Sequence, residues 1–212
     1  MTAEHNDAYA ARLTVEYPDR DLNRLSTGLR LIYLIPIGIV LALLDGSTSG
    51  FGFAENGFRF GATSAGVLAA PVLLMIVFRQ KYPRWWFDFN VQLARFATRV
   101  LAYLALMSDV YPSTDEEQTV QLVLDYPNVE RDLNRWLPLV KWLLAIPHYI
   151  VLFFLCIAAV AALIVAWFAV LFTGRYPRAI FDFVEGVLRW GLRVEAYACL
   201  LITDRYPPFS LH

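Results

Sequence analysis

The chain has 212 residues, of which 58% are hydrophobic and 17% charged, with a formal net charge of −1. Soluble domains carry about a quarter charged residues, so this balance points away from a soluble globule. A near-neutral charge also supplies no field for nucleic acid. The two cysteines, Cys156 and Cys199, have no partner at a metal-ligand spacing and read as small buried hydrophobes.

The first 28 residues are polar and charged. They hold no apolar signal-peptide core and no cleavage site, so the first apolar run is itself expected to direct insertion. Leu13 to Tyr17 alternates and predicts a short strand. Leu31 to Leu44 is uncharged and extends backwards past Arg30, whose long side chain can snorkel. The loop 45–61 alternates around Asn56-Gly57, the strongest short hairpin signal. That turn sets Phe51, Phe53, Phe58 and Phe60 on one face, which predicts a cover of lipid or partner protein. A second uncharged run covers Ala62 to Phe78.

Trp85 to Met107 predicts an amphipathic helix, with Asp88, Gln92, Arg95 and Arg99 on one stripe. Val120 to Tyr126 predicts a second strand, and Ala179 to Ile202 a second amphipathic helix with Asp182, Glu185, Arg189 and Arg193 on its stripe. Both are expected to lie in the membrane interface with the charged stripe toward water, rather than to span it around a buried charge pathway.

Trp142 to Gly174 carries no charge with His148 neutral. As one helix it would be about 50 Å long, against a hydrocarbon core of about 30 Å. A single span would put Arg175, Arg178, Arg189 and Arg193 outside, against the preference of basic residues for the cytoplasm. The expectation is therefore a tight or partly re-entrant hairpin, extended back to about Trp136. With hairpins in both halves, every Lys and Arg but Arg59 falls on one side, which places both termini in the cytoplasm.

The two halves repeat a pattern in the same order. Leu13-Thr-Val-Glu-Tyr-Pro matches Leu122-Val-Leu-Asp-Tyr-Pro, and Arg20-Asp-Leu-Asn-Arg24 matches Arg131-Asp-Leu-Asn-Arg135. Ile35-Pro36 matches Ile146-Pro147, and Lys81-Tyr-Pro-Arg matches Arg175-Tyr-Pro-Arg. Arg95, Arg99 and Tyr103 match Arg189, Arg193 and Tyr197, and Asp109-Val-Tyr-Pro matches Asp204-Arg-Tyr-Pro. Residues 1–115 and 116–212 are thus read as two membrane repeats, the first with its Phe-rich insertion. Six of the eleven prolines follow tyrosine and punctuate the elements as helix stops and interface anchors. The fold class expected is mainly α and integral to the membrane. Each repeat would contain a short strand, a transmembrane or re-entrant helical hairpin and an amphipathic interfacial helix.

Ala145-Ile-Pro-His148, Phe172-Thr-Gly-Arg-Tyr-Pro-Arg178, Arg189-Trp190 and Asp204-Arg-Tyr-Pro-Pro-Phe-Ser210 resemble bacterial membrane proteins of domain-of-unknown-function family 4389. The match covers the second half well. The first half departs from it, with Ile37 where His148 would stand and Arg79-Gln80-Lys81 in place of Thr173-Gly174-Arg175. The resemblance implies a multi-span protein of the bacterial inner membrane and no mechanism.

No nucleotide-binding, metalloprotease, nucleophile-elbow or paired-cysteine motif is present. No cofactor or metal is expected, and the chain does not read as an enzyme. The best functional lead is the arginine pairs. Arg95 and Arg99, like Arg189 and Arg193, stand four apart on a helix and repel. Their counter-charge is either internal, with Asp88, Asp182, Asp21 and Asp132 available, or an external lipid phosphate. The function expected is non-catalytic binding of lipid head groups or of a partner protein at the cytoplasmic face. The alternative is a small oligomeric transporter or channel. Membrane lipids are the expected partners, and small-residue faces such as Ala158, Ala162 and Ala166 suit a homo-oligomer or a membrane-protein partner.

Overall fold

A computed structural model describes residues 9–18, 22, 24–44, 62–113 and 118–211. The chain is mainly helical. It runs from strand β1 (Ala11–Val15) through helices α1 (Arg24–Leu44), α2 (Ala62–Arg79) and α3 (Arg84–Leu104). Strand β2 (Val120–Leu124) follows, then the short α4 (Val129–Asp132) and α5 (Pro138–Leu144), and finally α6 (Ile146–Thr173) and α7 (Arg178–Ala198). The insertion 45–61, with Phe51, Phe53, Phe58 and Phe60, lies outside the described residues.

The two strands form one antiparallel ribbon in which Leu13 faces Leu122. Alternation buries Ala11, Leu13 and Val15 on β1 and Val120, Leu122 and Leu124 on β2. A lone two-stranded ribbon is marginal in water, and this one is held between helices, α7 on β1 and α3 on β2. Each strand therefore packs on the amphipathic helix of the other half.

The arginines of the stripes complete this packing. In a two-stranded ribbon each strand keeps one unpaired edge of N–H and C=O groups. Arg95 Nε donates to Leu122 O at 3.0 Å, and Arg189 Nε to Leu13 O at 3.3 Å. Glu185, ion-paired with Arg189 at 2.5 Å, accepts the Val15 N–H at 3.4 Å. One i,i+4 pair on α7 thus offers β1 an acceptor and a donor, as a third strand would. This corrects the expected orientation of the stripes. Only their first turns, with Asp88, Gln92 and Asp182, are exposed, while Arg95, Arg99, Glu185, Arg189 and Arg193 are half-buried.

The Tyr-Pro sites do more than punctuate. Pro83 and Pro177 stand immediately before α3 and α7 in extended conformation. Tyr17 donates its hydroxyl to the Tyr176 carbonyl and Tyr126 to the Tyr82 carbonyl, both at 2.5 Å. Phe181 packs edge-on to Tyr17 and Tyr176, and Phe87 to Tyr82 and Tyr126. The guanidinium of Arg178 lies 5.0 Å from the Tyr17 ring centre, and that of Arg84 lies 5.1 Å from Tyr126. Every partner in these two clusters comes from matched sequence positions, and each cluster joins opposite halves. Tyr17→Phe and Tyr126→Phe should each lower stability by about 1–2 kcal/mol, because a part-buried carbonyl loses its donor. A thermal melt of the purified protein checks this, and melting points unchanged from the parent would remove the hydroxyls from the account.

The expected hairpin in the second half is not there. Residues 146–173 form one helix of 28 residues, preceded by a break at Ala145 and ended by left-handed Gly174. The reason lies in the composition of the run. Between Pro147 and Gly174 nothing favours a turn, and helix propagation is cooperative once started. A turn in apolar surroundings would also leave backbone groups unpaired.

Helix α6 packs on α7 and α1. A narrow stripe is covered, with His148, Ala159, Ala166 and Val170 buried. The rest is bare and apolar, with Phe154 65%, Val160 58% and Phe172 72% exposed. Among the described residues it is the one helix long and apolar enough to cross a membrane. The C-terminal tail runs past Gly186 of α7. A Cβ there would sit 2.8 Å from Leu211 O.

Candidate anion-binding groove

A groove lies where β1, the second half of α7 and the C-terminal tail meet. It holds about 720 Å³, and Arg12, Arg189, Arg193 and Arg205 line it together with Tyr9 and Tyr206. The strand register aims Arg12 away from the core, since its neighbours Ala11 and Leu13 point inward. Arg189 and Arg193 come from successive turns of α7. Arg205 follows Asp204 in a tail that is pinned at several points. Tyr9 donates to the carbonyls of Arg193 and Arg205 at 3.2 and 3.1 Å, and Tyr206 to Leu144 O at 3.2 Å.

Among the described residues, no carboxylate pairs with Arg193 in this groove. Arg12 pairs with Asp125 at 2.7 Å, with both side chains well exposed, and Arg189 pairs with Glu185. Arg193 reaches Ser210 O at 3.4 Å, and its buried Nε has no hydrogen-bond partner among the described residues. Burial first, then the neighbouring Arg189 charge, pulls the Arg193 guanidinium below its ordinary pKa. Arginine stays protonated under such stress, and a bound anion would relieve it.

The corresponding place in the first half is different. Arg99 Nη1 donates to Ser113 O at 2.6 Å, and Arg95 holds Leu122 O. The residue before Leu122 is Gln121 where Arg12 precedes Leu13, and Val110 follows Asp109 where Arg205 follows Asp204. Arg95 and Arg99 are therefore not brought together with further arginines. Asp88 and Asp182 are exposed near the starts of their helices and contribute no ion pair to either site. Arg12 and Arg205 were not singled out from the sequence, although their mismatch with Gln121 and Val110 was visible when the halves were aligned.

Two buried cations were also missed. Lys141 is fully buried, with Nζ 2.7 Å from both Asp204 Oδ1 and Thr203 O, and it lies 5.2 Å from the Tyr197 ring centre. Arg30 is paired with Asp109, donates to Tyr103 O at 2.6 Å and lies 4.4 Å from the Tyr103 ring centre. Arg30 precedes Ile35 by five residues, as Lys141 precedes Ile146. That shared offset was the available signal. Lys141 loses basicity through burial, against which Asp204 works.

His148 is buried among aromatic rings. Trp190 Nε1 donates to its Nδ1 at 3.1 Å, which leaves the ring proton on Nε2, and Phe209 stacks on it at 4.0 Å. The histidine thus satisfies the buried indole N–H of Trp190. Among the described residues no three His, Cys, Asp or Glu side chains gather to hold a metal.

Among the described residues these features define a mainly helical protein with one helix long and apolar enough to cross a membrane, and an arginine-lined groove tied to the start of that helix through Tyr206. Residues 136–210 match the family model described as Domain of unknown function (DUF4389), the family that the motifs of this segment resemble. The match takes in α5, α6, α7 and the tail, and with them His148, Trp190, Arg189, Arg193 and Arg205. No curated protein and no solved structure matches the chain.

Proposed function

We propose that the chain is an integral protein of the inner membrane that holds anionic lipid head groups at the membrane–water boundary and catalyses no reaction. The observation that carries this is the position of the groove. Tyr206, in its wall, is bonded to Leu144 beside the start of α6. Trp136, Trp142 and Tyr149 are exposed around that same start. Trp and Tyr settle at head-group level, and arginine binds phosphate bidentately. Apolar helix, aromatic collar and arginine groove thus follow in the order that a lipid presents acyl chain, glycerol region and phosphate.

The cross-half contacts support a further part of the reading, that the chain is two copies of one unit folded around a shared ribbon. Matched residues make matched bonds in the Arg–strand, Tyr–Tyr and buried-cation clusters. The cytoplasmic placing of both termini had needed a hairpin in residues 142–174, and an uninterrupted α6 withdraws that ground.

Arg193→Glu tests the head-group reading while sparing the contact of Arg189 with Leu13. The variant should purify folded with clearly less bound anionic lipid, measured by mass spectrometry of the extracted lipid. Equal lipid content in variant and parent would mean that the arginine is merely solvated.

A further inference from the structure

We infer that a second surface, where the end of α2, the start of α3 and the segment before α5 meet, seats on an anionic lipid head-group layer. It shares no residue with the groove and takes from the head-group reading only the presence of a bilayer. Phe78 and Arg79 end α2, and Arg84, Trp85, Trp86 and Phe89 open α3. Arg135 brings in the third segment. Its Nε donates to Val77 O at 2.5 Å and its Nη2 to Phe78 O at 3.3 Å, and its guanidinium lies 5.9 Å from the Trp136 ring centre. Phe78 is 71% exposed and Trp85 67%, and Trp136 and Phe89 are exposed as well. Trp86 links Trp85 to Phe89, with ring centres 5.3 and 5.9 Å apart. These side chains form a patch rather than scattered singles, and such a patch marks a binding surface.

Residue type and charge then select the occupant. Tryptophan settles at head-group level. Arg79, Lys81 and Arg84 flank the rings, all exposed and, among the described residues, in no ion pair. Asp88, one turn beyond Arg84, is the acidic side chain on this stretch of α3. Cations therefore prevail around the patch, and basic residues at a membrane surface are drawn to anionic lipid. The matched stretch of the second half keeps two of the cations as Arg175 and Arg178. It has Ala179, Ile180 and Leu25 where Trp85, Trp86 and Trp136 stand. The packing that the halves share thus needs no indole at these places. Trp136 also belongs to the aromatic collar at the start of α6, so one head-group layer serves both.

The test uses the full chain reconstituted into vesicles of phosphatidylcholine and phosphatidylglycerol, with one of the two lipids brominated high on its acyl chains. Bromine quenches the emission of indoles close to it. Trp85→Phe with Trp136→Phe changes two exposed side chains and should melt with the parent. The emission that this variant lacks is the emission of the patch. That part should be quenched in the parent, and more strongly when phosphatidylglycerol carries the bromine than when phosphatidylcholine does. Arg79→Gln with Lys81→Gln should abolish the preference for phosphatidylglycerol and leave the patch quenched equally by both lipids. Raised salt should weaken the preference in the parent.

Patch emission that neither brominated lipid quenches overturns the inference. If Arg193→Glu still loses anionic lipid in that case, the groove reading stands without it. A smaller assembly on native gels for Trp85→Phe with Trp136→Phe, again without quenching, would also overturn it and name protein as the cover. Equal quenching by both lipids in the parent overturns the anionic preference and with it the proposal. If the patch is quenched as expected while Arg193→Glu retains the lipid of the parent, the groove reading falls and this surface remains.

Discussion

Replacing Lys141 with methionine should lower stability by roughly 3–5 kcal/mol, the cost of leaving one partner of a buried ion pair unmatched. In a chain of this size that is a fall of roughly 6–20 °C in melting point. The estimate follows from what Lys141 holds. Its ammonium sits between Thr203 O and Asp204, and Asp204 Oδ2 in turn accepts the Asn134 N–H at 2.5 Å. Lys141 therefore ties α5 to the segment after α7, Asp204 ties that segment to the residues before α5, and a neutral side chain at 141 would strand a carboxylate near Tyr197. Lys141→Met combined with Asp204→Asn should recover much of the loss, since the penalty lies in the orphaned charge. Arg30→Met should behave similarly through Asp109. A Lys141→Met protein that melts with the parent would show that this pair is solvated and not an anchor.

The same cluster shows where sequence reasoning stopped. Strand alternation and helical amphipathicity are local periodicities, so β1, β2, α3 and α7 were legible to within a few residues. Trp85 to Met107 became Arg84–Leu104, and Ala179 to Ile202 became Arg178–Ala198. The pairing of β1 with β2 is not local. More than a hundred residues separate Leu13 from Leu122, and alternation reveals which face of a strand is buried without naming its neighbour. Once the strands pair across the halves, the arginine stripes cannot all face water, because the ribbon edges require donors and acceptors. Internal ties and lipid binding had both been open for Arg95, Arg99, Arg189 and Arg193. Arg95 and Arg189 make the internal tie to strand carbonyls, whereas Arg193 also faces a groove.

The site was legible by halves. Arg189 and Arg193 stood out because their like charges recur, and recurrence marks scaffold as readily as function. Arg12 and Arg205 are what the repeat does not share. Only their convergence with Tyr9 and the tail makes them a set, and that convergence depends on Tyr9 bonding to the Arg193 and Arg205 carbonyls. The hairpin expectation failed for a different reason. Length and the charge rule are global arguments about crossing a bilayer, and here the local fact that the run contains no turn-forming residue prevails over them.

Placing aspartate at Ile157 and at Val160 should expel α6 from the membrane. The two side chains are 54% and 58% exposed near the middle of the helix, and they form no part of its packing stripe. In a soluble protein such positions tolerate charge, usually within about 0.5 kcal/mol, and the substitutions would improve solubility. At the centre of a membrane-spanning helix each aspartate costs about 2.5–3.5 kcal/mol on the insertion scale. The two environments therefore predict opposite results for one protein. With α6 in lipid, the double variant should shift from the membrane pellet to the alkaline-carbonate supernatant or be degraded, while Ile157→Leu with Val160→Ile stays in the pellet. A double-aspartate variant that remains in the pellet and melts with the parent would place the bare face of α6 against protein or water. The head-group reading would then lose its membrane.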